Sequence, residues 1–447
     1  MVCAMAWRTL LFLILSMFLA AAAEAAPVLM ISIDGLRPGD ILEAQKRGLK
    51  VPNLRAFLSD GAYSTGVKNE LPTITYPNHT TLITGVSPAL HGITANTTFD
   101  PLKKNYEGWY WYASDIRVPT LWDAVHAQHK IVDSIDWPVS AGTNAIDYNI
   151  PEYWRAYTQD DLKLLRALST PGLITRLEHD SGVPLSAVYN ETPESDMARA
   201  RFAAALIDFT FPQFMTVHLV SVDHYQHEYG PGSPEAHQAI ETCDAAVGLM
   251  EAEARKIQAD TVVAIVSDHG FAPVSRDVNL MSAFVDAGLV TLDPGKHKIV
   301  AWDAEPWDTG GSAAIMLARP DDQALKDKVA ALLTKLASDP ANGIAKVIDK
   351  TEIAARGGGR EPSFWVDFDI GWEPGHDLTG PLVTASTLKG MHGYFPDHKE
   401  MRATFLIDGP GVPVKKSLGE IDMRDIAPTL AKLMNVPFPS ATGRPLF

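Results

Sequence analysis

Residues 28–38 read VLMISIDGLRP and residues 261–271 read TVVAIVSDHGF. Each is an apolar run of strand length that stops at an acidic residue. Asp268 and His269 are adjacent, and adjacent residues on a strand point to opposite faces, so both can face one site only if the strand TVVAIVS ends before them. That puts them, and Asp34 after VLMISI, in loops beyond the carboxyl ends of strands, the edge at which open α/β sheets bind ligands.

Further apolar runs predict strands at Ile131 to Asp136, Phe214 to Val220, Ala313 to Leu317 and Thr404 to Ile407, beside Val28 to Ile33 and Thr261 to Val266. Helical patterns lie between them at Leu121 to Gln128, Ser195 to Asp208, Pro234 to Ile257 and Asp322 to Ala337. The last carries Leu325, Val329, Leu332, Leu333 and Leu336 on one face. Such alternation predicts an α/β fold, a mostly parallel central sheet with helices on both faces. Three stretches break it: the aromatic Lys103 to Pro119, with Tyr106, Trp109, Tyr110, Trp111 and Tyr112; Ala141 to Tyr157; and Leu292 to Gly311, with Trp302 and Trp307. Each reads equally as a functional lid or a packed peripheral hairpin.

Seven residues of metal-ligand type stand in five short contexts. They are Asp34 in SIDGLRP, Thr75 in PTITYPNHTTLITG, Asp223 and His227 in SVDHYQHEYGP, Asp268 and His269 in SDHGF, and His392 in KGMHGYF. Two zinc ions need about this many N/O donors, since a catalytic site keeps one position open. Asp223 and His227 are four apart, so on a helix both reach one ion. Pro77 suits the first position of a helix through HTTLIT, whose free backbone N–H groups would face a phosphoryl oxygen. Thr73, Thr80 and Thr81 rival Thr75 as nucleophile, and strand alternation puts Thr73 on the same face as Thr75. His79, His91, His376 and His398 read as structural or solvated loop residues.

Taken in order, these contexts resemble the nucleotide pyrophosphatase/phosphodiesterase family of the alkaline phosphatase superfamily, from VLMISIDGLRP to GMHGYFPDHKEMRATFLIDGPG. The resemblance implies an alkaline-phosphatase-like fold with loop or cap insertions. It makes Thr75 the nucleophile and a metal ligand, with Asp34, Asp268 and His269 at the same ion and Asp223, His227 and His392 at a second. It also makes Asn96, in HGITAN, a donor to the transferred phosphoryl group; removing such a donor costs about 3 kcal/mol of transition-state stabilisation. Tyr76 becomes a platform for a base or other leaving group, its alternative being packing under the helix start. The implied activity is hydrolysis of phosphodiesters or pyrophosphates, nucleotide substrates favoured, through a phospho-threonine at two zinc ions. Lipid or glycerol diesters are the alternative leaving groups, and phosphomonoesters the alternative reaction. A sulfatase needs a Cys-x-Pro-x-Arg type segment that is not found near Thr75, and an alkaline phosphatase places Arg directly after its nucleophile, where this chain has Tyr76. A binding protein that had lost catalysis would be expected to lose ligands, and all seven are present.

The 447 residues, 46% hydrophobic, suffice for a large core, and ligands scattered from Asp34 to His392 predict one catalytic domain over 26–447 with insertions near 101–157 and 292–311. A net charge of −16 argues against a general nucleic-acid-binding surface and leaves a small-molecule partner. Arg8, the apolar Leu10 to Ala23 and Ala23-Glu24-Ala25 read as a signal peptide over 1–25. The apolar part is shorter than the ~20 residues of a spanning helix, so no stable membrane span is expected. Beyond the signal only Cys243 remains, on an apolar helix face with Ala236, Ala239, Ile240, Val247 and Met250. An exported chain that can form no internal disulfide suits a bacterial periplasm, or secretion. Oligomeric state is not legible.

Overall fold

The computed structural model describes residues 25–105, 108–155, 158–295 and 298–447. The expected leader up to Glu24, and Tyr106 and Tyr157 of the irregular stretches, lie outside the described residues.

The central sheet has eight strands: β1 Val28–Ile33, β2 Ala62–Tyr63, β3 Val132–Ile135, β4 Tyr148–Ile150, β5 Phe214–Leu219, β6 Val262–Val266, β7 Phe405–Asp408 and β8 Lys416–Ser417. Their spatial order is β8-β2-β7-β6-β1-β5-β3-β4. From β6 to β4 every pairing is parallel, and β7 enters antiparallel between β6 and β2. The fold is α/β, as the alternation predicts.

Strand pleating divides the core. Leu29, Ile31 and Ile33 of β1 point to one face, which packs with Leu206 and Ile207 of α2 (Pro193–Thr210) and with Ile240, Cys243, Val247 and Met250 of α4 (Pro234–Ile257). Val28 and Met30 point to the other, with Leu82 and Ile83 of α1 (Thr75–Thr84) and Leu430 of α6 (Ile426–Leu433). Cys243 is buried and unbridged in the described residues, as its helix face implies.

One predicted strand belongs elsewhere. Residues 312–317 lie in a separate four-stranded antiparallel sheet with Ala304–Asp308, Phe364–Phe368 and Ile344–Asp349, backed by α5 (Gln323–Ala337). Ser312–Leu317 is buried along its whole length, so its sequence lacks the polar alternation that marks a half-exposed antiparallel strand. The stretch from Leu292 to Gly311 is largely strand: Val290–Asp293 pairs with Lys298–Trp302, and Ala304–Asp308 edges the second sheet. The aromatic stretch packs inward through Trp109 and Trp111, and Ala141 to Tyr157 supplies β4. No helix among the described residues is long and apolar enough to cross a membrane.

Asp133 on β3 is fully buried and accepts a hydrogen bond from Thr210 Oγ1 at 2.6 Å. Burial pushes its carboxyl up to about 8. Because the folded chain holds the proton more tightly than the unfolded one, this residue's stabilising contribution is complete below pH ~4 and is lost as pH rises towards 8. Asp133→Asn should therefore match the parent at pH 4 and gain roughly 2–5 kcal/mol relative to it by pH 8.5, read by urea unfolding. A difference that stays constant across that range would refute the assignment.

Candidate active site

The carboxyl ends of β1, β5 and β6 gather the predicted ligands. Asp34 follows β1, with its N–H donating to Leu219 O of β5 at 2.9 Å. Asp223 and His227 lie on α3 (Ser221–Tyr229), which starts just after β5, and sit one turn apart with His227 Nε2 3.4 Å from Asp223 Oδ2. β6 ends at Val266, so Asp268 and His269 fall in the loop beyond it. His392 arrives from the far end of the chain on a loop that runs beside Thr309–Gly311. Backbone passes backbone so closely there that a Cβ at Gly310 would lie 2.4 Å from His392 O, and one at Gly393 2.0 Å from Thr309 O. Both glycines also have positive φ, +75 and +87, so two glycines meet where neither could be replaced without strain.

All seven predicted ligand residues come together. Asp223, His227 and His392 offer ligand atoms within 4.8 Å of one another, as do Asp34, Asp223 and His269. His269 Nε2 lies 3.1 Å from Asp268 Oδ2, 3.3 Å from Asp34 Oδ1 and 3.5 Å from Thr75 Oγ1. Asp223 lies within reach of both groups.

The donor set fits divalent cations. The Nδ1 atoms of His227, His269 and His392 each face a backbone carbonyl, of Gly390, Gly270 and Thr73, at 3.0, 3.1 and 3.2 Å. Each imidazole therefore carries its proton on Nδ1 and turns the Nε2 lone pair to the site, the arrangement of metal-binding histidines. Burial holds all three neutral, pushing His227 down to about 4 and His269 and His392 well below the ordinary histidine value. Asp34 Oδ1, Asp223 Oδ1 and Asp268 Oδ2 are buried without a hydrogen-bond partner. Burial raises these three carboxyls first; at Asp223 and Asp268 the charge of Asp34 is the next cause. Carboxylates raised by burial and by a neighbouring carboxylate need positive charge to stay ionised, which bound cations would supply.

Among the threonines, hydrogen bonding separates the rivals. Thr73 Oγ1 donates to Tyr394 O at 2.6 Å, Thr80 Oγ1 to Tyr76 O at 2.8 Å, and Thr81 Oγ1 to Val86 O at 3.0 Å; all three residues are fully buried. Thr75 is half-buried and its hydroxyl faces His269. The helix starts at Thr75, two residues before the expected Pro77, which moves to the third helical position. This narrows the expected cluster of N–H donors. Tyr76 N–H is taken by Asn96 Oδ1 at 2.9 Å, Pro77 has none, and Asn78 N–H reaches Ile74 O, so the Thr75 N–H is what remains for a ligand.

The same bond orients Asn96. With Oδ1 accepting from Tyr76, the Nδ2 donors are left for the cavity that Asn96 shares with Ile74 and His392. Tyr76 itself does not offer a platform. Its ring is fully buried, with edge contacts from Trp109 and Trp111, and its hydroxyl donates to Glu152 Oε1 at 2.9 Å. The packing alternative is where its side chain sits, because the aromatic stretch folds over it.

His79 and His91 are buried and hydrogen-bonded, to Ser32 Oγ and Thr81 Oγ1 respectively. His376 is exposed over Asp308. His398 is not a free loop residue: its Nε2 lies 2.8 Å from Asp367 Oδ2. Sequence reading missed His218 and Glu152. His218, buried in β5, has Nε2 3.1 Å from Asp34 Oδ2, and Glu152 Oε2 lies 3.5 Å from its Nδ1. A histidine inside the apolar run FMTVHLV is the signal that was available.

A family model described as type I phosphodiesterase / nucleotide pyrophosphatase matches residues 28–395. A venom phosphodiesterase of Crotalus durissus collilineatus is 25% identical over 430 residues, spanning 93% of this chain and 46% of the venom protein. An uncharacterized pyrophosphatase/phosphodiesterase of Schizosaccharomyces pombe is 26% identical over 433 residues, 92% of this chain and 77% of the yeast one. Human ectonucleotide pyrophosphatase / phosphodiesterase 5 superposes with a TM-score of 0.66 at 21% identity, over 93% of this chain and 97% of the human one. This chain belongs to the type I phosphodiesterase / nucleotide pyrophosphatase family. It spans about half the length of the venom relative, at 46%.

Proposed function

We propose that this chain is a metal-dependent hydrolase of phosphodiester or pyrophosphate bonds, with nucleotide substrates favoured, acting through a phospho-threonine at Thr75. The observation that carries the reading is the convergence of three Nε2 lone pairs and three unpartnered carboxylate oxygens beside Thr75, whose hydroxyl, unlike those of Thr73, Thr80 and Thr81, is not tied to a carbonyl. Asp34, Thr75, Asp268 and His269 would hold one zinc, and Asp223, His227 and His392 the second. Bound there, the ions would favour the ionised threonine oxygen and neutralise charge on the phosphoryl group.

The chain's own residues do the rest. Thr75 Oγ forms a bond to phosphorus as the bond to the leaving oxygen breaks, and the leaving group departs as an alcohol or phosphate. Water then cleaves the phospho-threonine and restores the hydroxyl. Asn96, its carbonyl oxygen anchored, directs its amide N–H groups at a non-bridging oxygen. The family match supports the diester class, and murine ectonucleotide pyrophosphatase / phosphodiesterase 5 has been solved as an inactive threonine-to-alanine variant with AMP. Export to a periplasm or the medium and a single catalytic domain over 26–447 belong to the same reading.

A second reading keeps the chemistry and changes the leaving group to a lipid or glycerol diester. The burial of Tyr76 favours it, because the ring expected to stack on a base is covered.

The test is the ratio of kcat/KM for matched aryl substrates, a nucleotide diester, a methyl diester and the monoester. The side chain after Thr75 is a phenol turned towards Glu152, with no guanidinium to match a dianion, so the diesters should be preferred by at least about tenfold. A monoester preference would overturn the class. Equal rates for the two diesters would move the substrate to the second reading.

A further inference from the structure

A buried line of polar contacts runs behind the site, from Asp34 to Asn96, its links hydrogen bonds except for one ion-pair contact between His218 and Glu152. His218 on β5 lies opposite Ser32 of β1, and its Nε2 is 3.1 Å from Asp34 Oδ2. Its Nδ1 faces Asp136 O at 3.1 Å and Glu152 Oε2 at 3.5 Å. Glu152 Oε1 accepts from Tyr76 Oη at 2.9 Å and from Trp154 Nε1 at 3.2 Å. Tyr76 N–H in turn anchors Asn96 Oδ1. His218, Tyr76 and Glu152 are 1%, 0% and 7% exposed, so these contacts lie away from bulk solvent.

The two oxygens of Asp34 are treated differently. Oδ2 is taken by His218, while Oδ1 is buried with no hydrogen bond and lies 3.3 Å from His269 Nε2. A carboxylate free to rotate could offer either oxygen or both. One anchored on Oδ2 offers Oδ1 alone.

We propose that His218 is a positioning residue: it fixes Asp34 as a one-oxygen metal ligand and, through Glu152 and Tyr76, ties that ligand to the amide donor Asn96. This rests on the reading of Asp34 as a zinc ligand. Asp136 O anchors the imidazole from its other side, with the Glu152 carboxylate 3.5 Å from the same nitrogen, and Trp109 and Trp111 pack on Tyr76. The covered tyrosine thus acquires a use as the link between the two halves of the site.

The experiment measures Zn2+ affinity, by competition with a chromogenic chelator, in the parent, Asp34→Asn, His218→Leu, His218→Gln and the Asp34→Asn/His218→Leu pair, with kcat and KM alongside. His218→Leu should weaken the site that Asp34→Asn weakens, by about 10- to 100-fold, and lower kcat with KM little changed. His218→Gln, which keeps a donor for Oδ2, should recover part of both. The double variant should lose no more zinc affinity than Asp34→Asn alone, because His218 acts through that carboxylate. Additive losses would mean a general structural role and overturn the proposal, as would a folded His218→Leu with affinity and kcat within about threefold of the parent. Should His218→Leu fail to fold, Glu152→Gln decides, since it keeps an acceptor for Tyr76 and removes the carboxylate charge 3.5 Å from His218 Nδ1. There a drop in zinc affinity is expected, and parental affinity overturns the proposal. A parent that binds no zinc, or an Asp34→Asn variant that binds it normally, defeats the metal reading itself, an outcome distinct from normal binding confined to the His218 variants.

Discussion

Thr75→Ala should lower turnover by at least about 10⁴-fold while the protein stays folded and keeps its metal. The loss is that of a nucleophile, and deletions of this kind leave only the catalysis supplied by binding and charge stabilisation. Metal is retained because three proposed ligands of that ion, Asp34, Asp268 and His269, are untouched. Thr73→Ala is the control that geometry singles out. Its hydroxyl donates to Tyr394 O inside the core, so removal should cost about 1 kcal/mol of stability with kcat within a few-fold of the parent. Phosphate trapped on Thr75 from acid-quenched reactions would support the assignment directly. Equal losses from the two variants, or an active Thr75→Ala, would remove it.

Removing the metal should have an effect as large. A chelator-treated protein is expected to lose at least about 10³-fold in rate and to regain it on adding two equivalents of zinc. Hydroxyls are weak nucleophiles unless activated, and the described surroundings of Thr75 offer His269 and carboxylates rather than a free base. Stability should fall in parallel. Binding to the folded state alone contributes about 4 kcal/mol at a thousandfold excess over Kd, so the treated protein should unfold at lower urea concentration. Elemental analysis that finds one metal or none in a fully active preparation would defeat the two-ion arrangement. His227→Ala and His392→Ala should each empty one site, and full occupancy and rate in both would show that the grouping is wrong.

How far sequence carries this picture differs from residue to residue. Five central strands, β1, β3, β5, β6 and β7, are legible because each is a short apolar run, and those that precede Asp34 and Asp268 end where chemistry begins. β2, β4 and β8 are not, being two or three residues long and, at Lys416–Ser417, polar and exposed. Asp223 and His227 are legible because one helical turn relates them. The placement of 312–317 is not, since a strand buried on both faces looks the same whichever sheet it joins. The fate of Tyr76 is not legible either. Its position after Thr75 suggests contact with substrate, yet its neighbours Trp109, Trp111 and Glu152 come from later segments that the motif does not mention. His218 and Glu152 escaped for the same reason: each is a lone polar residue whose meaning lies in a partner distant in the chain. Local pattern finds groups that act near one another in sequence, and tertiary packing decides which face of each remains available.

The entry of β7 between β2 and β6 sets an order of assembly during synthesis. Both β1 and β6 are available to pair once Val266 has been made, but the other edge of β6, VVAIV, has its native partner only when Phe405–Asp408 emerges. Until then a fully apolar strand presents unpaired N–H and C=O groups, the kind of edge that templates association between chains. A polypeptide that stops before Thr404 would carry this exposure permanently, even with Asp34, Thr75, Asp223, His227, Asp268, His269 and His392 all present. β7 thus joins β6 to β2 after every proposed site residue has already been translated, and premature termination before it should yield aggregates rather than a weak enzyme.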